Sequence, residues 1–94
     1  MTTYPKQPIY QSLGKTPNLK VMMFFLEHPT NDYTKTEIAA NCNLARQSVY
    51  PVIRSLMRFQ FIKIRRQIGN TKLYCLHDGS TTRAFRQIVQ TLSK

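Results

Sequence analysis

The stretch Thr34 to Leu56, TKTEIAANCNLARQSVYPVIRSL, decides how the chain folds. Thr34 and Glu37 stand three apart at the head of an apolar-periodic run, in the capping-box pattern. There the hydroxyl of the first residue and the carboxylate of the second satisfy each other's backbone N–H groups. Tyr33 before the box and Ile38 after it can close a hydrophobic staple, so a helix is expected to start at Thr34. From there the apolar and small positions run Ile38, Ala39, Cys42, Leu44, Val49, Val52, Ile53 and Leu56. This spacing packs two helices across a short turn. Ala39 lets the second helix come close, Leu44 plugs the corner, and Asn43 belongs to the residue type that, after glycine, best tolerates a left-handed backbone. Pro51 then raises the question of whether the second helix can run unbroken.

Upstream, Thr16-Pro17 is a good helix start, with Thr16 as cap and Pro17 in the first turn, where its missing N–H costs nothing. The helix runs to about His28. Leu19, Met22, Met23 and Leu26 form one stripe and Val21, Phe24 and Phe25 fill the other side, so this helix needs cover on more than one face. Pro29 stops it, and Thr30-Asn31-Asp32 has turn composition. Residues 1–15 hold Pro5, Pro8 and Gly14 among Tyr4, Ile9, Tyr10 and Leu13. That mixture suits an extended arm laid over a groove of this subunit or of a partner, ahead of a domain over residues 16–94.

Downstream, Phe61-Ile62-Lys63-Ile64-Arg65-Arg66 and Lys72-Leu73-Tyr74-Cys75-Leu76 alternate on either side of Ile68-Gly69-Asn70-Thr71, which reads as a hairpin. With Ile62 and Ile64 facing the core beside Tyr74 and Leu76, parity pairs Ile64 with Tyr74 and Ile62 with Leu76, and sets Arg66 opposite Lys72. Two cations at one end of a hairpin cost stability unless an anion sits between them. A last helix, capped by Ser80 or Thr81, carries Phe85, Ile88, Val89 and Leu92 at amphipathic spacing.

Fourteen Lys and Arg against four acids give the 94-residue chain a formal charge of +10. The distribution says more than the total, because no acid lies between Ile38 and His77 while Arg46, Arg54, Arg58, Lys63, Arg65, Arg66 and Lys72 all do. Such a surface suits a polyanion, since every phosphate neutralised releases a condensed counterion; a merely solubilising cationic face is the plainer alternative. Cys42 and Cys75 stand far apart without a CxxC, and His28 and His77 are isolated, so the residues offer no zinc site and no disulfide framework. The cysteines read as structural thiols and the histidines as packing or capping groups. Four scattered acids make no acid/base pair, and there is no phosphate-binding glycine loop, so neither an enzyme nor a cofactor is expected. No apolar run approaches the roughly 18 residues that span a bilayer, and the N-terminus lacks a signal-peptide core, which points to a cytoplasmic protein without a membrane partner.

Taken together, the Thr34–Leu56 pattern resembles a helix-turn-helix, and IRRQIGNTKLYCL, which follows it, resembles the wing of archaeal and bacterial winged-helix regulators. The resemblance covers about Thr16 to Leu92 and spans the breadth of the MarR, ArsR and PadR groups. It implies a mainly α, α+β winged helix-turn-helix with a two-stranded wing and flanking N- and C-terminal helices. It also makes Ala45 to about Phe59 the recognition helix, entering the major groove of DNA by its N-terminal half. Val49, Val52, Ile53 and Leu56 then face inward, and Arg46, Gln47, Ser48, Tyr50, Pro51 and Arg54 outward. Arg46 suits guanine, Gln47 adenine, and Ser48 and Tyr50 phosphate or either base. Lys35 and Thr36 would position a phosphate, and Arg66, Asn70 and Lys72 would reach backbone or minor groove from the wing. Placed outward, Pro51 leaves the Gln47 carbonyl to water or DNA. The expectation is a helix bent there, or one that starts late near Gln47 or Ser48, with the proline meeting a thymine methyl or steering Arg46.

On this reading the chain binds double-stranded DNA sequence-specifically as a homodimeric transcriptional regulator of a palindromic site, joined through the first helix, the last helix or both. A partition protein that marks a centromere and spreads through neighbouring dimers is a second possibility, with the proline-bearing arm as its neighbour contact. A winged-helix module that binds an acidic protein is a third.

Overall fold

The structure, a computed structural model, describes Gly14 and residues 16–92. Apart from Gly14, the expected arm over residues 1–15 lies outside the described residues. The elements run α1 (Pro17–Glu27), β1 (Asp32–Tyr33), α2 (Lys35–Asn41), α3 (Arg46–Arg58), β2 (Ile62–Ile68), β3 (Thr71–Leu76) and α4 (Ser80–Leu92). The three strands form one antiparallel sheet in the order β1-β3-β2.

The helix boundaries follow from local chemistry. Thr16 Oγ1 accepts the Leu19 N–H at 3.2 Å, and Pro17 occupies the first turn of α1, which ends at His28 ahead of Pro29. The capping box of α2 is complete: Glu37 N–H donates to Thr34 Oγ1 at 3.2 Å and Thr34 N–H to Glu37 Oε1 at 2.8 Å. Both α2 and α3 stop in Schellman motifs. Asn43 takes φ 56° and Leu44 N–H reaches back to Ala39 O; Gln60 takes φ 62° and Phe61 N–H reaches Leu56 O. In each case the residue after the left-handed one turns an apolar side chain into the corner.

Two expectations change. Asp32 is not a turn residue, since the turn covers Pro29 and Thr30 and Asp32 opens β1 opposite Cys75, with Tyr33 opposite Tyr74. The second edge of β3 can accept a strand, and Tyr33 secures it by packing its ring against Phe24, centroids 4.7 Å apart. Ser80 and Thr81 do not cap α4, because both lie inside it; Gly79 O accepts the Arg83 N–H. Fully buried Thr82 donates its hydroxyl to His77 O, which satisfies a polar group that burial would otherwise penalise.

The core joins all these pieces. Val21 and Phe25 of α1, Ile38 of α2, Val49 of α3, Phe61 just ahead of β2 and Ile62 at its start are fully buried. Burial of such side chains stabilises the fold by roughly 1.5–3 kcal/mol apiece. Phe85 of α4 packs edge-on against Phe61 at 5.6 Å, which lays the last helix on this core. As expected of an all-round apolar helix, α1 buries Leu19, Val21, Met23, Phe24 and Phe25, and Met22 and Leu26 are half-buried against the core.

Candidate nucleic-acid interface

The outward face of α3 is laid out as its sequence phase requires. Val49, Val52, Ile53 and Leu56 are buried, and Arg46, Gln47, Ser48, Tyr50, Pro51 and Arg54 are exposed. The helix starts at Arg46, with no side-chain cap from Ala45; backbone bonds from Ser48 and Val49 N–H to Ala45 O close the first turn. Its leading N–H groups therefore point out uncapped, beside Arg46 and Gln47. Pro51 sits well inside the helix, and the expected late start near Gln47 or Ser48 is not observed. Because Gln47 and Pro51 both lie on the exposed side, the hydrogen bond that the proline removes is lost where solvent can replace it, and the buried face keeps its packing.

The wing departs from its expected register in one decisive place. Ile62 faces Leu76 and Ile64 faces Tyr74, as parity demands, but a bulge follows. Arg66 lies opposite Leu73, and Gln67, not Arg66, lies opposite Lys72. A two-residue loop at Gly69-Asn70, with Gly69 at φ 61° as a turn of this kind requires in its first position, fixes Ile68 opposite Thr71. Counting back from that loop and counting out from the apolar pairs disagree by one residue, and Arg65 is the surplus. Every side chain beyond it changes face. Lys72 and Tyr74 stay on the face turned to α3, whereas Arg66 goes to the opposite face, where Asp32 of β1 waits.

There Arg66 Nε meets Asp32 Oδ2 at 2.8 Å, and Arg65 Nη1 donates to Thr30 O at 2.8 Å. The Arg66 hydrogen bond holds the Asp32 carboxyl below its ordinary range, and Asp32 in turn raises the Arg66 guanidinium. The two cations expected to crowd one end of the hairpin are thus separated. Ile64, expected in the core, is 38% exposed and lines the gap between wing and α3.

That gap holds the site. A cleft of about 330 Å³ is lined by Thr34, Lys35 and Thr36 at the start of α2, Tyr50 of α3, and Asn70, Thr71, Lys72 and Tyr74 of the wing. An adjoining cleft of about 270 Å³ adds Ile53, Arg54, Met57 and Ile64. None of these side chains is acidic. Lys35 Nζ lies over the Tyr50 ring, 4.5 Å from its centroid. Of the residues singled out from sequence, Lys35, Thr36, Tyr50, Arg54, Asn70 and Lys72 are brought together here. Arg46, Gln47, Ser48 and Pro51 continue the same exposed α3 surface outside the clefts, and Arg66 is on the far face of the sheet. Sequence reasoning missed Arg65 as the bulge, although the mismatch between loop length and apolar pairing was there to find it. It also missed Thr71 and Tyr74 as lining, for which no motif exists.

Cys42 and Cys75 are buried and unbonded to each other. Burial pushes the Cys42 thiol up to about 12, and its Sγ–H points to Lys20 O at 4.0 Å. His28 packs on Phe24 at 5.0 Å, and His77 O takes the Thr82 hydroxyl. Among the described residues no cluster of His, Cys, Asp or Glu could hold a metal, and no helix is long and apolar enough to cross a membrane.

No family model matches the chain, and no curated protein matches its sequence. Solved structures do. HlyU from Vibrio cholerae, in its reduced form, superposes with a TM-score of 0.63 at 15% identity over 90% of this chain and 84% of its own. The AF1382 protein of Archaeoglobus fulgidus gives 0.67 at 19% identity over 90% and 97%. A fragment, residues 1–100, of a possible transcriptional regulatory protein from Mycobacterium bovis gives 0.64 at 14% identity over 97% and 95%. At such identities the likeness concerns the fold: helix, short strand, helix-turn-helix, hairpin and closing helix make this chain a winged helix-turn-helix.

Proposed function

We propose that the chain binds double-stranded DNA sequence-specifically, as a homodimeric transcriptional regulator that reads a palindromic site. One observation carries the reading: the start of α2, the outward face of α3 and the wing tip line common clefts that contain three cations and no acid. A run of phosphates complements a surface of this kind. The resemblance to a possible transcriptional regulatory protein supports the regulatory role.

Within this reading α3 enters the major groove from Arg46. Arg46 grips guanine O6 and N7, Gln47 pairs with adenine N6 and N7, and each bidentate contact discriminates by roughly 1–3 kcal/mol. Ser48 and Tyr50 contact phosphate or a base edge, Pro51 offers its ring to a thymine methyl, and Arg54 reaches the backbone. Lys35, Thr36, Asn70 and Lys72 hold phosphates, which positions the protein without specifying sequence. Arg66, turned to the far face of the sheet, contributes through Asp32, as the brace that holds the wing.

Salt titration of binding to duplex DNA tests this. The logarithm of affinity should fall with the logarithm of salt by about 0.9 per phosphate contacted. Arg46→Ala should relax base preference while Lys72→Ala weakens all duplexes evenly. A protein that ignores duplex DNA at low ionic strength and binds an acidic protein instead would make this winged helix an interaction module.

A further inference from the structure

We infer that Lys35 and Lys72 grip one and the same backbone phosphate, with the Tyr50 ring as the device that aims Lys35 at it. The inference rests on the DNA-binding reading above and deepens it. Both lysines line both clefts, one from the head of α2 and the other from the wing, so the two DNA-facing elements converge on a single space. Among the described residues neither lysine is ion-paired, and the salt bridge nearest to them in sequence joins Arg66 to Asp32 on the opposite face. Two cations facing one polar-lined space repel each other, and one phosphodiester between them, its single negative charge shared by two oxygens, turns that repulsion into attraction. The Thr36 and Thr71 hydroxyls and the Asn70 amide line the same cleft, which is donor chemistry for phosphate oxygens.

Tyr50 is exposed by 44%, yet its ring is already committed, with Lys35 Nζ 4.5 Å above its centroid. A flexible lysine stem held on an aromatic face loses less freedom on binding than one waving in solvent. Tyr50 is therefore a positioning residue for Lys35, and its hydroxyl is dispensable for that task.

The experiment uses the full chain and a duplex containing its selected site, in which each phosphate in turn is replaced by neutral methylphosphonate. Among the phosphates to which the wild type is sensitive, one and the same position should lose part of its effect in Lys35→Ala and in Lys72→Ala, and all of it in the double variant. The Lys35→Ala/Lys72→Ala double variant should lower the salt slope by about 0.9 in total, the value of one phosphate, and not by about 1.8. At the phosphate shared by Lys35 and Lys72, Tyr50→Phe should keep the wild-type sensitivity, whatever a hydroxyl contact elsewhere on the duplex was worth, and Tyr50→Leu should reproduce that of Lys35→Ala. A different position affected by each single variant, or a slope loss near 1.8, would overturn the shared phosphate and leave DNA binding standing. Failure of the wild type to bind any duplex overturns the DNA-binding reading and the shared phosphate with it. All three side chains are solvent-accessible, and circular dichroism of each variant verifies that the fold is kept.

Discussion

Asn43 and Gln60 do the same job at the ends of consecutive helices, and they are not equally suited to it. Both adopt the left-handed conformation, at φ 56° and 62°. Asn visits that region with little strain, whereas for other side-chain-bearing residues it costs roughly 1–2 kcal/mol. Gln60→Gly should therefore stabilise the protein by about 1 kcal/mol in urea unfolding, and Asn43→Gly by clearly less. Equal effects would mean that something beyond backbone strain sets these positions. Cys42 makes a second prediction at this scale. Its buried thiol ionises in the folded protein only near 12, against an ordinary value of 9.0. The unfolded chain sheds that proton first, so as pH rises from about 9 toward 12 the unfolded state gains and stability falls. Cys42→Ala should flatten that part of the pH–stability curve relative to wild type, while Tyr74, also raised by burial, keeps its own share in both proteins. At pH 8 native Cys42 should resist iodoacetamide and react only on unfolding. Asn43 was legible from sequence because its residue type advertises the conformation; Gln60 was not, because glutamine carries no such signal.

The helix α2 and the phase of α3 were legible in advance because they are written in local rules: a capping box, a three-four apolar period, a left-handed corner at Asn43; the uncapped start of α3 and its end at Gln60 carry no such mark. The wing was half-legible. Its inner pairs follow from alternation, but alternation continues evenly through Ile62, Ile64 and Ile68 and hides the bulge at Arg65. Nor does a two-residue strand such as β1 have a period of its own, and it exists because Tyr33 packs on Phe24 and Asp32 meets Arg66. The ion pair leads to a direct test. Since Arg66 lowers the Asp32 carboxyl from 3.8, the pair's contribution is present at higher pH and is lost as pH falls through the lowered value. The side-chain carbon signal of Asp32 should titrate below 3.8, and in Arg66→Gln its midpoint should move back up. An unmoved midpoint would separate wing from β1 in solution. Pro51 gives the opposite kind of element-scale prediction. Its ring removes a hydrogen bond from the exposed side of α3, so Pro51→Ala should stabilise the protein by about 1–3 kcal/mol. If the proline serves recognition, the same variant should also shift the bases chosen from a random duplex pool.

For the molecule as a whole, the question is how one small domain would present two recognition helices to a palindrome. The all-round apolar character of α1 suggested a partner surface, yet within a single chain that helix already buries five side chains against α3, Tyr33 and the core. Its surplus therefore does not by itself require a second subunit. The closing helix is different. α4 buries only Thr82 and Phe85, holds Val89 and Leu92 half-covered, and leaves Ile88 47% exposed on an otherwise amphipathic surface. We place the interface of the proposed dimer on this helix, whose residues line neither cleft. A two-fold-related pair reads half-sites about one helical turn apart, roughly 10 bp. Ile88→Glu should then yield a monomer in sedimentation and abolish the advantage of two half-sites over one. Binding to a single half-site should be unchanged, because α3, Lys35 and Lys72 lie elsewhere. A variant that remains dimeric moves the interface off α4, with α1 or the residues ahead of Thr16 as the next surfaces to test; one that loses single-site binding as well means that α4 supports the domain itself.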